Sequence, residues 1–303
     1  MEITLALGGG GAKGNAHIGV IRRLEKEGFR IRGVSGTSFG GIIAVLYALG
    51  HSPDKIEEVL AALDQTQFYG HGPDDGPSLM GLAGVTRHLE EMIGDCTFSD
   101  LKLPCVLTAV DLKSGKEVLL SKGRLVDAIL ATIALPGIFP VRHVDGLELI
   151  DGGTLDPVPV APARTLAPRL PVVAVVLTLP MGIPPQPWNL PFHKHWGGML
   201  LSRLLSRTRY TSVWDVFSRS LDITSRAVTQ YRLEVDHPEI IVRPDVYDID
   251  TLDVVDVHEV AKKGEEAVEA VLPQLRTLFT WRTRWRRTIG VNNHRSICNE
   301  RLT

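Results

Sequence analysis

Short, continuously apolar runs alternate along this chain with stretches whose apolar residues recur every three to four positions. Ile3-Thr4-Leu5-Ala6-Leu7 is the first such run and predicts a buried parallel strand. After the glycine-rich Gly8 to Gly14, the spacing of Ile18, Val20, Ile21 and Leu24 predicts a helix that ends near Gly28. Ile31 to Ser35 is a second strand and Ile42 to Leu49 a second helix, so the chain opens as β-α-β-α. Further helices are expected from Pro53 through Leu63, from about Leu79 to Ile93, and over Val126–Ala134, Val213–Tyr231 and Val257–Leu278. Further strands are expected at Cys105–Val110, Val172–Leu177 and Glu239–Val242. Val141–Val144 and Leu147–Ile150 flank Asp145-Gly146, a dipeptide suited to a type I′ hairpin turn. Strands alternating with helices predict an α/β fold, a three-layer α/β/α sandwich around a mainly parallel central sheet.

The pattern weakens in two places. Residues 180–208 begin proline-rich and continue with Trp196, Leu200, Leu201, Leu204 and Leu205 among arginines. That composition fits a lid or membrane-facing insertion, and equally a proline-rich crossing followed by a core helix. The arginine-rich end, 281–303, shows no period and reads as a basic, solvated tail. Residues 1–280 are expected to form one domain.

Composition narrows the partners. A net charge of −2 on 303 residues gives no reason to expect nucleic acid. Cys96, Cys105 and Cys298 have neither paired nor metal-ligand spacing, so a reducing cytoplasm is the expected setting. No basic leader or cleavage site precedes the first strand, and no apolar run approaches the ~20 residues of a membrane span. Any lipid would be met from the water side, with the protein peripheral at a membrane or micelle surface. Oligomeric state is not legible.

The candidate chemistry lies in two glycine-rich strand-to-helix turns. Gly36-Thr37-Ser38-Phe39-Gly40 has the Gly-x-Ser-x-Gly pattern of a nucleophile elbow, in which a sharp turn holds the serine clear of the backbone. Taken alone it also fits an ordinary turn with an N-cap serine. The loop Gly8 to Gly14 admits three readings. Gly9-x-Gly11-x-x-Gly14 matches a dinucleotide fingerprint, but the second strand ends Val34-Ser35-Gly36, without the acidic residue that holds a ribose. A phosphate-binding loop needs Gly-Lys-Ser/Thr, and here Lys13 precedes Gly14-Asn15. An oxyanion hole built from the amides of Gly9, Gly10 and Gly11, with Lys13 adding positive potential, explains both turns together. Loops after adjacent parallel strands open on one edge of the sheet.

A serine nucleophile needs a base. None of the late histidines sits at a strand end beside glycine, and His17 on the first helix reads as a packing or hydrogen-bonding residue. Asp151 ends a strand and is freed by Gly152 and Gly153; Asp111 is the rival, in a setting that also reads as a plain turn. A carboxylate is a poor base at its ordinary pKa near 3.9, and shielding from water raises that value.

Gly9-Gly10-Gly11-Ala12-Lys13-Gly14, Gly36-Thr37-Ser38-Phe39-Gly40 and Asp151-Gly152-Gly153, in that order, resemble the patatin-like phospholipases, in particular compact bacterial members. Ala134-x-Pro136-Gly137-x-Phe139-Pro140 lies between the last two motifs. The resemblance runs from Ile3 to about Leu278 and implies a Ser38–Asp151 dyad, with no catalytic histidine. It further implies an oxyanion hole from Gly9–Gly11 and hydrolysis of carboxylic esters in phospholipids, lysophospholipids or related lipids. Neither cofactor nor metal is called for. Lys13 stands where many members carry arginine. Two alternatives remain open: an acyltransferase using the same acyl-serine, and a non-catalytic lipid-binding regulator.

Overall fold

In the computed structural model, described for residues 1–73, 75–184 and 209–279 (without the side chains of 209–215), the β-α-β-α opening is present. It comprises β1 (Glu2–Leu7), α1 (Ala16–Lys26), β2 (Arg30–Gly36) and α2 (Phe39–Ala48), with α3 (Pro53–Ala62) following. Next come α4 (Ala83–Ile93), β3 (Cys105–Asp111), β4 (Lys116–Leu120) and α5 (Leu125–Thr132). The hairpin β5 (Arg142–Val144) and β6 (Leu147–Asp151) precedes α6 (Val160–Leu166) and β7 (Val172–Val175). The chain then supplies α7 (Arg209–Asp236), β8 (Ile240–Val242) and α8 (Val257–Thr277). From 185 onward the expected insertion lies outside the described residues, as does the expected tail. No helix among the described residues is long and apolar enough to cross a membrane.

Burial along single strands gives the layers. In β1 the side chains of Ile3, Leu5 and Leu7 join one buried cluster with residues of α1, α2 and α8, whereas Ala6 joins a second with α6 and Leu233 of α7. β7 divides the same way, Val173 and Val175 to the first cluster and Val172 and Ala174 to the second. Alternate side chains of a strand face opposite sides of its sheet, so these strands are covered on both faces, which is why they read as continuous apolar runs.

The sheet order is β5-β6-β3-β2-β1-β7-β8, with β4 also on β3. The pairs β1–β2, β2–β3, β1–β7 and β7–β8 are parallel, as expected for strands joined through helices. The antiparallel pairs lie on the β3 side. β4 follows one edge of β3 from Leu107 to Asp111. The other edge is shared, by β2 through Cys105–Leu107 and by β6 through Ala109–Asp111. β2 runs with β3 and stops at Gly36 opposite Leu107; β6 runs against it and stops at Asp151 opposite Ala109. The carboxyl ends of β2 and β6 therefore meet head-on, with only Thr108 of β3 between them. This register brings two motifs 113 positions apart in the chain to one place.

Two expectations fail for definable reasons. The helix expected from about Leu79 starts at Ala83, because the amides of Leu79 and Met80 donate to the carbonyls of Gly137 and Ile138. α6 has no counterpart among the expected elements. Pro162 is the third residue of α6, inside the first turn, where no intrahelical partner is needed for its missing N–H.

α1 and α8 cross at backbone distance. A Cβ on Gly19 would lie 1.7 Å from the Ala261 carbonyl oxygen, and one on Gly264 1.9 Å from that of Ala16. Gly264→Ala would gain about 1 kcal/mol of helix propensity. Separating the helices offsets that gain, since overpacking costs typically ~1–3 kcal/mol and backbone cannot swing aside as a side chain does. The expected result is a net loss of stability, read as a lower urea midpoint with the slope unchanged.

Candidate active site

The elbow is strained at the serine itself. Ser38 has φ 53° and ψ −129°, a conformation that costs a non-glycine residue on the order of 1–3 kcal/mol and persists only where its surroundings hold it. Those surroundings are well defined. A Cβ on Gly36 would lie 2.5 Å from the Gly40 carbonyl oxygen, and one on Gly40 2.3 Å from that of Leu7, so the turn closes only with glycine on both sides. The Thr37 amide donates to the Leu7 carbonyl at 3.1 Å, and the Ser38 amide donates to Thr132 Oγ1 at 2.9 Å.

Three buried threonines complete the brace. Thr132 Oγ1 donates to the Thr108 carbonyl at 2.6 Å, and Thr37 Oγ1 donates to the Asp156 carbonyl at 2.9 Å. Thr37 Oγ1 therefore accepts from Thr108 Oγ1, 2.7 Å away. Thr108, the residue left between the ends of β2 and β6, thus ties the elbow to the strand that aligns Asp151. Sequence reasoning did not find this network; threonine in strands and helix ends carries no distinguishing signal.

Asp151 is buried, and burial pushes its carboxyl up to about 6, against the pull of the Ser38 hydroxyl and the Gly153 amide. Its Oδ1 accepts from the Gly153 N–H at 2.7 Å. Its Oδ2 has no formed hydrogen bond among the described residues, and the Ser38 hydroxyl is close enough to act on its titration. Such a contact, near but not closed, is common in unliganded catalytic pairs. The Asp151 amide donates to the Ala134 carbonyl at 2.9 Å, which gives the Ala134–Pro140 motif its place beside the carboxylate.

The rivals are occupied elsewhere. Asp111 accepts from the Ser114 hydroxyl at 2.6 Å and from the Glu148 amide at 3.2 Å, bonds that hold its carboxyl below the usual range. His17 is wholly buried, its pKa pushed down to about 4, and its Nε2 lies 2.8 Å from the Gly8 carbonyl oxygen. Facing a carbonyl, Nε2 must carry the proton, so His17 is a neutral brace beneath the glycine loop. His143 is exposed on β5.

The glycine loop faces the serine, since a Cβ on Gly9 would stand 3.2 Å from Ser38 Cβ. One expected donor is corrected. The Gly9 amide already donates to the Pro157 carbonyl at 2.9 Å and is not free to bind an oxyanion. The amides of Gly10 and Gly11 have no backbone or side-chain acceptor among the described residues. Lys13 is half-buried, which lowers its pKa, while Asp222 and Asp250 oppose that shift. Asp222 lies on α7 and Asp250 in the loop before α8.

Beside Ser38 opens a mainly apolar cavity of about 130 Å³. α2, α3 and α4 contribute Ile42, Leu60 and Leu89, and Phe68, Leu82 and Phe139 close it further. Tyr69 stacks on Phe139 with ring centroids 5.7 Å apart. Among the described residues no group of three or more His, Cys, Asp or Glu could hold a metal ion.

The model of the patatin-like phospholipase family matches residues 5–164, which hold both glycine turns and Asp151. An uncharacterized NTE family protein of Mycobacterium tuberculosis is 37% identical over 164 residues, 53% of this chain and 45% of the relative. The patatin-like phospholipase domain-containing protein 6 of Mus musculus is 30% identical over 180 residues, 57% of this chain and 13% of the relative. The chain thus spans less than half the length of these curated relatives. Among solved structures, VipD from Legionella pneumophila superposes over 90% of this chain and 66% of its own, with a TM-score of 0.52 at 12% identity, a likeness of fold. With its family model covering more than half of the sequence and both turns, the chain belongs to the patatin-like phospholipase family.

Proposed function

We propose that this protein is a serine acyl hydrolase that cleaves carboxylic ester bonds of phospholipids, lysophospholipids or related lipids. The observation that carries the reading is the buried carboxyl of Asp151, one oxygen held by the Gly153 amide and the Ser38 hydroxyl close enough to act on its titration. With a pKa of about 6 it is mostly ionised at pH 7 and more basic than a solvated aspartate.

In the first half-reaction Asp151 takes the Ser38 proton as Oγ bonds to the ester carbonyl carbon. The carbonyl oxygen becomes an oxyanion held by the Gly10 and Gly11 amides, each well-placed donor contributing about 3–4 kcal/mol. Asp151 returns the proton to the departing alcohol oxygen as the ester C–O bond breaks, leaving an acyl-serine. In the second half-reaction Asp151 takes a proton from water, whose oxygen attacks the acyl carbon, and gives it to Ser38 as the fatty acid leaves. The apolar cavity supplies a wall for the acyl chain, and its lining supports a lipid ester over a polar one.

A fluorophosphonate probe tests the nucleophile directly. The expected result is one covalent adduct, mapped to the peptide containing Ser38, together with release of fatty acid from phospholipid or lysophospholipid vesicles by the unlabelled protein. Adduct formation at another serine would remove Ser38 from the mechanism. An adduct at Ser38 without fatty-acid release, but with acyl transfer to an added alcohol, would assign the acyltransferase alternative.

A further inference from the structure

The segment after Asp151 touches every part of the candidate site. The amides of Leu155 and Asp156 both donate to the Gly152 carbonyl, at 3.0 and 2.8 Å, which folds residues 151–156 into a tight turn. The next carbonyls are taken from the other side: Asp156 accepts from the Thr37 hydroxyl at 2.9 Å, and Pro157 from the Gly9 amide at 2.9 Å. A displacement of this turn therefore moves the carboxylate, the elbow and the glycine loop relative to one another.

One long side chain grips the turn from outside. Arg232, near the end of α7, donates from Nε to the Leu155 carbonyl at 2.9 Å and from Nη2 to Glu117 on β4 at 3.0 Å. Nη2 also lies 3.8 Å from the carboxylate of Asp156, which is wholly buried, and Nη1 lies 3.8 Å from that of Asp236. Guanidinium is suited to this place because its rigid fork can hold a carbonyl through one nitrogen and a carboxylate through another.

We propose that Arg232 is a positioning residue for hydrolysis, holding the 151–156 turn through the Leu155 carbonyl so that Asp151 stays aligned on Ser38. Three carboxyls around one guanidinium are more than the turn needs for cohesion. Burial first, then Glu117 and Asp236, raises the pKa of Asp156, against the pull of Arg232. Glu117 and Asp236 therefore answer the charge of Arg232, with Asp156 pushed toward its neutral form, while the Leu155 carbonyl has Arg232 as its side-chain donor. The role rests on Asp151 acting as the base, and the test separates the two claims.

Arg232→Met alone would leave buried carboxyls without their cation, which can unfold a protein for reasons unrelated to the site. The informative variant is Arg232→Met combined with Glu117→Gln and Asp156→Asn, compared with wild type and with Asp151→Asn on one soluble ester. With Glu117 and Asp156 neutralised, Asp236 is the one carboxyl of the cluster left charged, and the triple variant should melt close to wild type. Its kcat should fall at least tenfold while KM stays within about twofold, because the ester still binds and only the base is displaced. The acid limb of its kcat profile should also move to lower pH, since a loosened turn admits water to Asp151 and removes the cause of its raised pKa. The groups acting on that carboxyl are the Ser38 hydroxyl and the Gly153 amide, both unchanged in the variant. A folded triple variant with wild-type kcat and an unmoved limb, beside an inactive Asp151→Asn, would overturn the role of Arg232 alone. An active Asp151→Asn would overturn the base assignment, and this proposal with it.

Discussion

Ser38→Ala is expected to lower kcat on a soluble acyl ester by at least 10³-fold, to the residual rate that binding and oxyanion contacts support without a nucleophile. Ser38→Gly should be equally inactive and, unlike Ser38→Ala, more stable than wild type. The reason is the backbone. At φ 53° and ψ −129° alanine keeps the strain of the serine, whereas glycine relieves it. The gain expected from Ser38→Gly is about 1 kcal/mol, set against the entropy that glycine adds to the unfolded chain. The paired measurement is kcat together with a urea midpoint for both variants. A shared loss of activity combined with a stability gain in Ser38→Gly alone would tie the strain and the chemistry to one residue. If Ser38→Gly were less stable than Ser38→Ala, the elbow would not be strained in the manner described, whatever its activity.

The parts of the site legible in the sequence are those made by local chain chemistry. Gly36, Ser38 and Gly40 announce a turn that only those residues close, and the apolar run of β1 followed by glycines announces a strand edge. Asp151 was legible through its neighbours, a hairpin turn at Asp145-Gly146 before it and two glycines after it. Asp145 and Gly146 do adopt positive φ, 50° and 80°, as a type I′ turn requires. What stayed hidden depends on partners far along the chain. Whether the Gly9 amide is free is decided by the Pro157 carbonyl, and whether Thr132 matters is decided by the amide of Ser38. Arg232 carries no motif at all; it becomes visible only when α7 is laid against the Asp151 turn. Helix ends failed for the same reason: α7 runs from Arg209 to Asp236 where Val213 to Tyr231 was expected.

The glycine loop shows how a sequence can offer several donors without ranking them. Consecutive glycines offer several amides close to the serine, and a sequence cannot rank them. The fold distinguishes them, because the segment after Asp151 accepts from the first amide. One segment thus holds the Asp151 carboxylate and occupies the Gly9 amide. The same sharing makes the site cooperative, so changes in the 151–157 segment should not combine additively with changes at the elbow.

Asp151→Asn is the variant expected to separate activity from stability most widely. Its size is kept and its Oδ1 can still accept from Gly153, so the fold has no reason to fail. Basicity is lost, and kcat should fall by at least 10³-fold at pH 7–8 with little change in binding. In the wild type, activity should rise with pH through about 6, as the base ionises. Stability should move the other way. The folded carboxyl holds its proton up to about 6, while the unfolded chain releases it near 3.8. Between those values the native state binds more protons, so its stability is fullest below 3.8 and declines as pH rises through about 6. Asparagine stays neutral and escapes that decline. The difference between 3.8 and about 6 corresponds to roughly 3 kcal/mol as an upper bound at pH 7. Asp151→Asn should therefore be inactive and more stable than wild type at pH 7–8, with the advantage vanishing toward pH 4. The measurement is a urea midpoint for both proteins at pH 4, 6 and 8, with kcat on one soluble ester over the active range. An inactive variant with no pH-dependent gain would mean that the Asp151 carboxyl is not held up by burial, and its basicity would need another source.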